Sequence, residues 1–298
     1  MDSIMKNQKI KRPDPTLIAE IGCNHKGDLE IAKTFIETAA NFCEVKHIKF
    51  QKRHNKTLLP ETQYNAPHPV PENSYGKTYG EHREALEFSV SQHRELKSFC
   101  EQLDVTYSTS VWDIRSLEDV ISIEPDYIKI PSATNTHYDL LQLACDRFEG
   151  IIHLSLGMTT RSEEEAILDI FRKNGRLQDL VLYACTSGYP ISPSEACLLE
   201  IPRLISAYGQ DVMAVGYSGH HNGISLDIAA FSLGADFIER HFTLDRTWKG
   251  TDHAASLEPD GLRRVYRDLL SCHAALKEKP TEILEIEKPQ RDKLKWHN

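Results

Sequence analysis

Residues Gly216–Ser256 read GYSGHHNGISLDIAAFSLGADFIERHFTLDRTWKGTDHAAS. Val215-Gly216-Tyr217 closes a buried strand, and Ser218-Gly219-His220-His221 lies just past it. Ile224 to Leu233 carries helical spacing, and residues 235–240 form a second short apolar strand with His241 directly after. If the two strands lie parallel with a helix between them, His220 and His241 converge on one spot. That is a metal-site arrangement made by topology rather than by local spacing. Asp252 and His253 arrive on the loop that follows. A lone loop histidine is mostly a solvated polar residue; two at successive strand ends favour a functional reading.

Working outward, the same rhythm fills the chain. Thr16–Ile21 (TLIAEI) reads as the first strand, Leu29–Asn41 as a helix and His47–Gln51 as the second strand. Residues 52–87 then turn polar and loop-like, a long excursion of the kind that serves as a lid or cover. Helix and strand alternate afterwards, with strands over 105–108, 127–130, 151–154, 180–184 and 212–217 and helices between, among them one over Ser194–Ala207. About eight strand–helix units predict a single closed (β/α)₈ TIM barrel with a long loop after strand 2. A doubly wound sheet is the main competitor, but no G-x-G-x-x-G follows the first strand. The expected boundaries are an N-terminal arm over 1–15, the barrel over 16–277, and a charged, loosely docked tail over 278–298.

Composition narrows the class. The chain has 298 residues, 40% hydrophobic and 27% charged, ordinary for a globular protein with a sizeable core. A net charge of −9 argues against nucleic acid and anionic membrane as partners, though not against a small anion met by a local lysine cluster. Seven scattered cysteines without a C-x-x-C pair fit a reducing, cytoplasmic setting. No apolar signal segment opens the sequence and no run reaches membrane-span length.

In a parallel barrel, the C-terminal strand ends share one mouth. Glu20, Lys49 with Gln51, Ser108 with Thr109, Lys129 with Ser132, Ser155, Thr186 with Ser187, Ser218 with His220, and His241 all fall there. Two lysines among hydroxyls suit a phosphate and a carboxylate, since lysine supplies point charge and hydroxyls supply directed donors. A single lysine at a strand end is more often a snorkelling rim residue; two on neighbouring units beside serines favour anion binding. A Schiff-base lysine is the other catalytic use.

These residues resemble a known family. Residues 19–29 (AEIGCNHKGDL), Lys49-Phe50-Gln51, residues 185–190 (CTSGYP), residues 216–220 (GYSGH) and residues 239–245 (ERHFTLD) are similar to motifs of the sialic acid (nonulosonic acid) synthases. Residues 76–82 (GKTYGEH) and 247–253 (TWKGTDH) resemble the animal-type, 9-phosphate branch. The resemblance, over about residues 16–276, implies a (β/α)₈ barrel that condenses phosphoenolpyruvate with a six-carbon aldose. The acceptor would be N-acetylmannosamine or mannose, as the 6-phosphate, and the product a nine-carbon keto sugar acid plus phosphate. It places phosphoenolpyruvate contacts on Lys49, Thr109, Lys129, Ser132, Ser155, Ser187, Tyr189 and Ser218. Metal ligands fall on His220 and His241, and sugar contacts on Glu20, Gln51 and Asp252. Lys49 and Lys129 would stabilise charge during catalysis, while Glu20 and Asp252 are candidates for proton transfer. It favours manganese or magnesium, although two imidazoles alone would admit zinc, iron or cobalt. It also implies a homodimer. Leu156 departs from the pattern, where a hydroxyl residue is usual, and residue 295 lies about where the family's C-terminal antifreeze-like domain would begin.

Two rival functions stay open on the residues alone: a metal-free Schiff-base aldolase, and a non-catalytic barrel that binds sugar phosphates. The excursion adds one expectation. Lys52, Arg53, His54, Lys56, Lys77, His82 and Arg83 concentrate cationic groups near the mouth, with Arg53 and Lys77 as the expected pair for a sugar 6-phosphate. Most charged loops are solvated faces, and the position at the end of strand 2 is what favours a role in binding.

Overall fold

A computed structural model describes residues 13–296, so most of the expected N-terminal arm lies outside the described residues. Eight strands run β1 Thr16–Gly22, β2 His47–Lys52, β3 Thr106–Val111, β4 Tyr127–Ile130, β5 Ile151–Ser155, β6 Leu180–Cys185, β7 Ala214–Gly219 and β8 Phe237–His241. Each pairs in parallel with the next, and β8 closes on β1, giving the expected (β/α)₈ barrel.

Strand alternation decides what faces the barrel axis. On β4, Ile128 and Ile130 pack outward with the helices, as do Ile152 and Leu154 on β5 and Leu180 and Leu182 on β6. Tyr127 and Tyr183 point inward with Ile18 and Val181 as a lower plug. His153 stacks on Tyr127 at 4.3 Å and hydrogen-bonds the Tyr183 hydroxyl at 2.9 Å, filling the next layer. One step further along each strand, the inward residues become Glu20, Lys49, Ser110, Lys129, Ser155, Ser218 and Glu239, which line a cavity at the mouth. A packed apolar floor thus carries a polar upper layer.

Local signals explain the element ends. Asp28 caps the helix Leu29–Glu37 by accepting from the N–H groups of Glu30 and Ile31, and Ala32, Phe35 and Ile36 form its buried face. The helix expected over Ser194–Ala207 starts later, at Glu200, because residues 193–195 form a separate 3₁₀ turn. Cys197 then takes φ 47°, which a continuing helix does not allow. Within the expected tail, Lys288–Leu294 is helical and buries none of its residues.

The excursion after β2 contains short helices rather than open loop. Thr78 and Glu81 form a reciprocal capping box that starts the helix Tyr79–Ala85. The segment docks over the mouth through the Tyr75 hydroxyl, which donates to the Lys249 carbonyl at 2.6 Å on the loop after β8. It therefore forms one wall of the cavity.

Candidate active site

A cavity of about 370 Å³ occupies the mouth, within the size range of small-molecule sites. Its floor is a four-charge cluster. Lys129 Nζ lies 2.6 Å from Glu239 Oε1, Lys49 Nζ lies 3.8 Å from the same oxygen, and Lys49 also pairs with Glu20. None of the four is more than 4% exposed. Burial raises the Glu239 carboxyl, but Lys129 and Lys49 outweigh it and hold the group down at about 2. Burial pushes Glu20 up to about 7, against the pull of Lys49. Burial also lowers Lys129, opposed by Glu239. Two cations are thus held in a dry site by carboxylates that accept from them, with Ser110 accepting from Lys49 at 2.7 Å and Ser218 donating to Glu239 at 3.1 Å.

The β4–β6 side supplies hydroxyls. The Ser132 hydroxyl accepts from the Gly157 N–H at 3.1 Å. Ser155 and Ser187 have buried hydroxyl oxygens with no partner among the described residues. Unpaired buried donors of this kind are completed by an acceptor-rich ligand. Gly157 keeps the space open: a Cβ there would stand 2.5 Å from Ser187 Oγ and 2.6 Å from Ser132 Oγ.

The β7–β8 side supplies the imidazoles. The rings of His220 and His241 lie 5.4 Å apart, and the half-exposed Tyr189 ring packs 4.2 Å from the first and 5.7 Å from the second. The Thr186 carbonyl accepts from His220 Nδ1 at 2.8 Å, which fixes the tautomer and leaves Nε2 as a lone-pair donor. His241 Nδ1 is buried without a partner among the described residues. Burial holds both rings down to about 3, so both are in the neutral, metal-binding form. No cluster of three or more such ligands exists among the described residues, so two imidazoles would leave open positions for substrate.

The remaining expected residues fall on the β1–β2 side. Gln51 Nε2 contacts Cys23 Sγ, and Asp252 lines the wall near Glu20. Asn24 ties this side together, donating to the Phe242 carbonyl at 2.8 Å and to Ser256 Oγ at 3.0 Å.

Thr109 is an exception, and so are Ser108 and Thr186, whose hydroxyls donate to the Tyr127 and Glu195 carbonyls and do not line the cavity. Paired strands point neighbouring side chains the same way, and Thr109 is in register with Phe50, a core residue of the outward layer. Ser110, next along the strand, lines the cavity in its place. Lys77 is also misplaced by the sequence reading; it is exposed and does not line the cavity.

A comparison with known proteins now decides the family. The NeuB family model matches residues 35–281. The chain belongs to the NeuB family. It is 35% identical over 285 residues to mouse N-acetylneuraminate-9-phosphate synthase, covering 93% of this chain and 76% of the relative. It is 33% identical over 261 residues to N,N'-diacetyllegionaminic acid synthase of Campylobacter jejuni, covering 87% and 77%. The crystal structure of an N-acetylneuraminic acid synthetase from Leptospira borgpetersenii superposes with TM-score 0.79 at 28% identity, covering 95% of this chain and 93% of that one.

In this NeuB-family chain, Glu239 and Arg240 escaped the sequence reading as well as Ser110. Glu239 was passed over as strand, although it stands two residues before His241 and so must share its face. Arg240 points the other way and is fully buried. Its guanidinium pairs with Asp227, donates to His221 Nε2 at 3.0 Å and reaches the His221 carbonyl at 2.7 Å. Arg240 thereby ties the neighbour of His241 to the neighbour of His220, and His221 is a structural residue turned away from the ligand pair. Asp227→Ala leaves this guanidinium buried without its counter-charge. The expected cost is about 3–5 kcal/mol of stability, read as a lower urea midpoint at unchanged slope; a shift under 1 kcal/mol would contradict the network's role.

Proposed function

We propose that the cavity condenses phosphoenolpyruvate with a six-carbon aldose, giving a nine-carbon 2-keto-3-deoxy sugar acid and phosphate. The observation that carries this reading is the pair of buried lysines facing unpaired serine hydroxyls, beside two neutral imidazoles, in one cavity. Phosphoenolpyruvate needs the first set for its phosphate and carboxylate, with Lys49, Lys129, Ser132, Ser155, Ser187 and Ser218 as the binding groups and Tyr189 as a wall.

The balanced reaction consumes one water. The enol carbon attacks the aldehyde carbon, forming the new C–C bond while the aldehyde oxygen takes a proton. Positive charge at the pyruvyl carbon is captured by water, which releases a proton, and the hemiketal phosphate loses phosphate by C–O cleavage. Lys49 and Lys129 stabilise the anionic groups throughout, already oriented by Glu20 and Glu239. Glu20, pushed toward neutrality by burial, suits proton transfer at the acceptor, and Asp252 and Gln51 hold its hydroxyls. His220 and His241 fit a divalent cation such as manganese or magnesium, which when bound supplies Lewis-acid polarisation of the aldehyde oxygen.

The aldolase alternative has less support, because both lysines are engaged by carboxylates. C–O cleavage is testable directly. Phosphate released from phosphoenolpyruvate labelled with ¹⁸O at the bridging oxygen is expected to retain the label. Phosphate carrying solvent oxygen instead would overturn the proposed route. A second expectation concerns the serine cradle: Gly157→Ala turns two hydroxyls aside and raises KM for phosphoenolpyruvate about tenfold. The melting temperature should fall only slightly, since the two hydroxyls rotate and Ser132 Cβ, 3.1 Å from the added methyl, has to give by only a little; an unchanged KM would move the anion elsewhere.

A further inference from the structure

The serine cradle is assembled from separate loops, and one buried side chain joins two of them. Ser132 stands just past β4, whereas Ser155 ends β5 and Gly157 follows it. Between these loops lies Asn135, 2% exposed, directly after the 3₁₀ turn Ser132–Thr134. It does not line the cavity. Its Nδ2 donates to the Ser155 carbonyl at 2.9 Å, to the Gly157 carbonyl at 3.3 Å and to Thr159 Oγ1 at 2.6 Å. Thr159 Oγ1 gives its own proton to the Gly157 carbonyl at 3.0 Å, so it accepts from Asn135. Two carbonyls and an accepting hydroxyl thus fix the amide with its nitrogen toward β5.

We infer that Asn135 is a positioning residue: it braces the loop after β5 against the loop after β4, and so sets the spacing of the Ser132 and Ser155 hydroxyls. The loop after β5 needs such a brace. Met158 takes φ 57°, a left-handed conformation that an L-residue adopts only at a cost. The bend through Met158 separates Gly157 from Thr159, and Asn135 engages both sides of it. That bend aims the Gly157 N–H at Ser132 Oγ, 3.1 Å away. With Oγ accepting there, the Ser132 proton is left with the weak acceptor Cys185 Sγ at 3.7 Å, and a ligand oxygen is a better one. Without the amide, the strained bend relaxes and the donors lose the spacing that is otherwise set before an anion arrives. The inference rests on the condensation reading for the identity of that anion, phosphoenolpyruvate.

Binding of phosphoenolpyruvate without a sugar reads this role apart from turnover. Phosphoenolpyruvate is titrated calorimetrically, with manganese present, into the full chain and into N135A, S155A and N135A/S155A. Thermal melting of each variant checks that it is folded. N135A is expected to bind about tenfold more weakly than the wild-type chain, and S155A to bind more weakly too. In the S155A background the Asn135 change should cost at most about threefold, because part of what the amide positions is already gone. A general loss of stability would not produce that shrinkage. Should N135A not fold, T159V decides: it keeps the side-chain shape and removes one link, so affinity should fall about threefold. Unchanged affinity in folded N135A, a tenfold cost that persists in S155A or, where N135A does not fold, unchanged affinity in T159V overturns the inference and leaves the condensation reading standing. A wild-type chain that binds no phosphoenolpyruvate removes that reading, and the positioning role with it.

Discussion

Replacing His241 with Ala is expected to lower kcat by about 10³-fold or more, and chelation of the wild-type chain to do the same, with manganese or magnesium restoring only the latter. The magnitude follows from the several kcal/mol that a Lewis acid contributes to an oxygen developing negative charge. The ring of His241 faces that of His220 with a buried, unpaired Nδ1, so its removal takes away half the protein's hold on the cation. His220→Ala should behave alike. His221→Ala is the contrast: its ring accepts from Arg240, so the variant loses stability while each folded molecule keeps metal-dependent turnover. Full activity in a demonstrably metal-free preparation would remove the metal from the mechanism.

Lys129→Met is expected to reduce kcat/KM for phosphoenolpyruvate by about 10²-fold or more, the loss of a desolvated charge contact worth about 3 kcal/mol. Lys49→Met should match it. Both also strip a buried carboxylate of a partner, Glu239 in the first case and Glu20 in the second. Stability therefore falls as well, and the kinetic loss must be read per folded molecule. Lys129→Arg provides a control that retains charge while misplacing it. Borohydride trapping of a pyruvate adduct on either lysine would support the aldolase instead, and an unchanged kcat/KM would show that the lysines serve only the fold.

The barrel was legible because its strands are short, apolar and regularly spaced, with Ile128-Lys129-Ile130 carrying one inward polar residue in an outward apolar frame. His220 and His241 were legible because strand ends converge in any parallel barrel. Face assignment within a strand was harder. Thr109 and Ser110 are both small hydroxyl residues, and only pairing with Phe50 reveals which one turns away from the mouth. The cationic excursion showed its charge but not its fold. Lys77 and Arg83 look equivalent in sequence, yet the capping box of Thr78 and Glu81 sets a helix that exposes one and carries the other into the cavity wall. The Arg240–Asp227–His221 network joins residues 13 and 19 positions apart, a spacing with no local signature.

The most direct test of the central claim is phosphate release from phosphoenolpyruvate in the presence of divalent manganese, across mannose, N-acetylmannosamine and their 6-phosphates, with product masses recorded. Condensation predicts release that requires a sugar, with a product whose mass equals aldose plus phosphoenolpyruvate plus water minus phosphoric acid. Release that proceeds without any sugar, or that leaves every sugar at its starting mass, would contradict it.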